Sequence, residues 1–131
     1  YNIYTNDLLV ERISKISGFK SIGVYEGARR VYWKTQFRLD HSYWGEIEDK
    51  IIIRALLEEG VPLQQFHNYN IKDHMKIWMH DRYNGQVINL SHIDTPKDIL
   101  VLPGFVLISI DEMNQIVNAF ERVSNNKGRL K

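Results

Sequence analysis

The chain has 131 residues, 44% hydrophobic and 25% charged, with no cysteine. Such a composition is ordinary for one globular domain and excludes a disordered or fibrous chain, while the missing thiols exclude disulfides, Cys-ligated zinc, iron–sulfur clusters and a thiol nucleophile. Seventeen Lys and Arg against sixteen Asp and Glu leave a net charge of +1, so any nucleic-acid site must be a local patch rather than a property of the whole surface.

Taken in chain order, Thr5 or Asn6 can cap a first helix whose Leu9, Ile13 and Ile16 share one face, and Ser17-Gly18 ends it. Lys20 to Tyr25 reads as a short strand, and Glu26-Gly27-Ala28-Arg29 as a turn. From Val31 to Leu39 the pattern alternates. Val31, Trp33, Thr35, Phe37 and Leu39 fall on one side, and Tyr32, Lys34, Gln36 and Arg38 on the other, the period of a strand.

Glu46 to Glu59 predicts a helix with Ile47, Ile51, Ile52, Ala55 and Leu56 on its apolar face. Ile53 and Leu57 widen that face, which predicts burial on two sides. Gly60 and Pro62 form its stop signal. Leu63 to His74 mixes Gln, Asn, His and Tyr with little periodicity and reads as an irregular connection.

Met75 to Leu90 predicts a hairpin turning at Asn84-Gly85, a pair that tolerates positive φ. Its core face carries Ile77, Met79, Asp81, Ile88 and Leu90, and its other face Trp78, His80, Arg82, Val87 and Asn89. A polar connection follows, broken at Thr95-Pro96. Ile99 to Leu102 and Phe105 to Ile108 are too apolar for one-sided strands and predict cover on both faces. Ser109 and Glu112 form a capping box ahead of a last helix that buries Met113, Ile116, Val117 and Phe120. Residues 125–131 read as a basic, frayed tail after a single domain over 1–124. The order predicts an α+β domain with a mainly antiparallel sheet of about five strands packed by three helices.

No segment reads as a signal peptide. The longest apolar stretch, Ile99 to Ile110, is broken by Pro103, Gly104 and Ser109, well short of the roughly 20 residues that span a bilayer. With the absence of cysteine, this gives an expectation of a cytoplasmic protein without membrane contact. Phosphate-binding loops, Gly-x-Ser-x-Gly elbows and His-Glu-x-x-His pairs do not occur.

Three sets of residues carry functional expectations. Aromatic residues concentrate near the irregular segment and the hairpin, and Phe66, His67, Tyr69, Trp78, His80 and Arg82 form a candidate surface for a protein partner, since aromatics and Arg dominate binding hot spots. Arg29, Arg30, Tyr32, Lys34 and Arg38 set positive charge beside an aromatic ring. That is the chemistry of phosphate attraction and base stacking, with Lys127, Arg129 and Lys131 as a further contact. The plainer alternative is a solvated strand protected by charge.

The third set is His80, Arg82 and His92. An imidazole and a guanidinium on one strand face could hold a phosphate, and a second imidazole would complete a metal-independent nuclease. Four of the five histidines have an Asp nearby: Asp40-His41, Asp73-His74, His80-Asp81 and His92 with Asp94. Their spacing is not that of a metal site, and neither metal nor cofactor is expected. The leading expectation is a small non-enzymatic binding domain, of accessory, inhibitory or immunity type, acting through a protein partner. The alternatives are a nucleic-acid-binding module using Arg29 to Arg38, and a nuclease using His80 and Arg82.

Overall fold

A computed structural model describes residues 2–23, 26–29, 32, 34–64, 98–103 and 108–130. These residues form an α+β domain. Helix α1 spans Asn2–Ser14, strand β1 Phe19–Ser21, strand β2 Lys34–Leu39, the single-turn helix α2 His41–Trp44, helix α3 Asp49–Glu58, strand β3 Ile99–Pro103 and helix α4 Ile110–Asn125. A 3-10 turn, Lys127–Arg129, follows α4. The strands make an antiparallel sheet in the order β1-β2-β3, with Phe37 opposite both Ser21 and Leu100. The predicted hairpin of Met75 to Leu90 lies outside the described residues, as do 105–107 of the last predicted strand, whose Ile108 is buried beyond β3. No described helix is long and apolar enough to cross a membrane.

Helix α1 differs from its sequence prediction at its start. It begins at Asn2, so Thr5 and Asn6 are interior residues, and both are buried. The physical reason is tertiary: the Thr35 hydroxyl of β2 donates to Asn6 Oδ1 at 2.8 Å. A side chain suited to capping instead pins helix to sheet. Leu9 and Ile13 are fully buried, as their spacing predicts, and Ile16 is half-buried.

Strand β1 is shorter than the predicted Lys20 to Tyr25 and starts one residue earlier. In β2 the alternation holds over 34–39, with Thr35, Phe37 and Leu39 inward, Lys34 and Gln36 half-buried and Arg38 exposed. It fails at Tyr32. That residue precedes the strand, is only 8% exposed, and donates its hydroxyl to Asp7 Oδ1 at 2.5 Å. The placement of Tyr32 on an exposed ladder is therefore corrected: a partner on α1 draws the ring inward.

The sequence reading contains no helix at α2. Asp40 starts it, accepting from the Ser42 backbone N–H at 3.1 Å and from the Ser42 hydroxyl at 2.6 Å. Trp44 ends it fully buried, against Phe19 in an edge contact at 5.5 Å between ring centroids. Phe120 joins that cluster at 4.8 Å from Phe19 and 5.9 Å from Phe37, tying α4 to the sheet.

Helix α3 is shorter than the predicted Glu46 to Glu59, and its burial is one-sided. Ile52 and Leu56 are fully buried, Ile51, Ile53 and Ala55 half-buried, and Leu57 is 50% exposed. Its stop signal is as predicted. Gly60 takes φ +84, its N–H reaches Leu57 O at 3.0 Å, and the Val61 N–H reaches Leu56 O at 3.0 Å. Together these two bonds make a Schellman cap.

In β3, Leu100 and Leu102 pack into the helix-side core opposite Phe37 and Thr35. Val101 lies opposite Gln36 on the other face, yet is 1% exposed. Cover on both faces is what the apolar run predicts. The capping box also forms in full. Ser109 Oγ accepts from the Glu112 N–H at 3.1 Å, and Glu112 Oε2 accepts from the Ser109 N–H at 2.8 Å. Met113, Ile116, Val117 and Phe120 are buried. Residues 126–130, read from the sequence as part of a frayed tail, make contacts with the rest of the domain. Lys127 donates to the Tyr43 carbonyl and lies 4.8 Å from the Tyr43 ring centroid, and Leu130 packs against the core.

Candidate functional site

The basic strand can be placed residue by residue. Arg29 is exposed in the turn after Gly27, Tyr32 is buried, Lys34 is half-buried and Arg38 is exposed, while Arg30 lies outside the described residues. Arg38 Nη2 stands 2.9 Å from Asp98 Oδ2, and its Nε donates to the same oxygen at 3.0 Å. Opposite Arg38 in the sheet is Lys20, whose Nζ is 2.9 Å from Asp40 Oδ1. The Lys20 hydrogen bond, with a smaller contribution from the Ser42 hydroxyl, holds the Asp40 carboxyl below the usual carboxylate range. Two cations on neighbouring strands thus each meet a carboxylate, which offsets the field that would attract a phosphate.

Of the five histidines, His41 is described. It opens α2 and is exposed. Its sequence neighbour Asp40 turns to Ser42 and Lys20, so adjacency does not orient the imidazole. Asp49 is its acidic neighbour instead, at 3.6 Å. His67, His74, His80 and His92 lie outside the described residues, together with Phe66, Tyr69, Trp78, Asp81 and Arg82. Among the described residues there is no group of three His, Asp or Glu that could hold a metal ion.

The attachment of the aromatic segment is described. Gln64 forms an antiparallel bridge with Val101, its N–H reaching Val101 O at 2.8 Å. Asp98 directly precedes β3, its carbonyl accepts from the Leu39 N–H at 2.9 Å, and its carboxylate holds Arg38. Because Gln64 runs antiparallel to β3, the chain leaves it heading toward the Ile99 end, where Asp98 enters. Gln64 and Asp98, the described residues on either side of 65–97, are thus both hydrogen-bonded to the sheet.

Two grooves among the described residues escape sequence reasoning, because each is made by packing between segments distant in the chain. One, of about 450 Å³, lies between the turn after α3 and helix α4, with Val61, Pro62, Ile108 and Ile116 in its wall. Arg122 Nε donates to Glu59 Oε2 beside it at 2.6 Å. The other, also about 450 Å³, lies between Trp44, Ile47, Ile51 and the Lys127 to Leu130 turn. The half-exposed Ile110 and Leu57 line neither groove, so exposed apolar residues do not point to them. Compared with known proteins, the chain matches no family model and no curated protein.

Proposed function

We propose that the protein is a non-enzymatic binding domain, of accessory, inhibitory or immunity type, that acts through a protein partner. The described α+β body is the scaffold, and Phe66, His67, Tyr69, Trp78, His80 and Arg82 are the recognition residues. What supports this reading is the anchoring of the segment that carries them. Its stems are fixed at Gln64 and Asp98 on a sheet backed by a packed aromatic core. Binding residues on segments held by a rigid scaffold are the common arrangement, and aromatics with Arg are the side chains that dominate protein interfaces.

The polar groups of the scaffold agree with that division of labour. Asp7 holds Tyr32, Asn6 holds Thr35, the Ser124 hydroxyl donates to Ser17 O at 2.7 Å, and the Tyr43 hydroxyl donates to the Ser124 backbone carbonyl at 3.0 Å. These side chains secure the fold.

The test separates this reading from its two rivals. Fluorescence anisotropy of labelled single-stranded DNA, duplex DNA and RNA is measured at low and physiological salt, and the same samples are then run on a gel. The expected result is no salt-sensitive binding and no shortening. Binding that falls steeply with salt and weakens in Lys34→Ala would replace the proposal with a nucleic-acid module. RNA shortened by the protein but not by His80→Ala would replace it with a nuclease.

A further inference from the structure

We draw no further inference here: the strongest candidate, the groove of about 450 Å³ between the turn after α3 and helix α4, has its Glu59–Arg122 ion pair closed on itself and its Glu112 carboxylate taken up by Ser109, and nothing in the structure shows what covers it.

Discussion

Gly18 is required twice over, by its backbone and by its neighbour. Its φ of +96 disfavours any side chain, and a Cβ there would lie 2.6 Å from Trp44 Cε2. The Trp44 ring is fully buried and donates its indole N–H to Gly18 O at 2.7 Å, so it has little room to retreat. Gly18→Ala should therefore cost about 2–5 kcal/mol, backbone strain and overpacking together. Gly60 has a similar φ of +84 but open space around it, so Gly60→Ala should cost only about 1–2 kcal/mol. Urea midpoints at unchanged slope would check both, and equal losses would contradict the role given to Trp44. The buried Asn6–Thr35 bond makes a second prediction at this scale. Thr35→Val keeps the shape and removes the donor, and should destabilise by about 1–3 kcal/mol.

Among the elements, α4 has the most complete set of local signals. Ser109→Ala removes the acceptor for the Glu112 N–H and should cost about 1 kcal/mol in a urea titration. The box also makes stability depend on pH. The Ser109 backbone N–H, and next its hydroxyl, hold the Glu112 carboxyl below its ordinary range. A carboxyl depressed in the folded state stabilises above its unfolded pKa, and that contribution is lost as pH falls through the folded value. The urea midpoint should therefore drop below about pH 4, and Glu112→Gln should make that drop shallower. A drop unchanged in the variant would show that other carboxylates, such as Asp40, carry it.

Legibility in the sequence followed the range of the interactions. The Schellman cap at Gly60, the capping box at Ser109 and the alternation from Thr35 to Leu39 depend on residues a few positions apart, and the sequence shows them. Helix α2 depends on Asp40 turning from its neighbour His41 to Ser42 and Lys20, which adjacency alone does not reveal. The start of α1 and the burial of Tyr32 depend on partners 29 and 25 residues away. Both rest on a side-chain bond between α1 and the chain at or just before β2, which forms only when the two pack together. Of the candidate site, Gln64 and Asp98 are placed, while the proposed recognition residues lie outside the described set.

On the proposed function, the whole molecule divides into a scaffold and a recognition segment between Gln64 and Asp98. Arg38 belongs to the scaffold in this division. Its pair with Asp98 is largely exposed on the Arg side, so Arg38→Ala should lower stability by no more than about 1 kcal/mol. Partner binding should be unaffected. Trp78, by contrast, is one of the proposed recognition residues, and truncating a central aromatic anchor costs about 2 kcal/mol or more, about a 30-fold loss of affinity. The most direct test immobilises the full chain, captures partners from an extract of the cells that make it, and measures the purified partner's affinity for the wild type and for Trp78→Ala. The expected result is a protein partner whose affinity falls about 30-fold or more for the Trp78→Ala variant, while the variant's circular dichroism and urea midpoint stay those of the wild type. Undiminished affinity in a folded Trp78→Ala variant would contradict it.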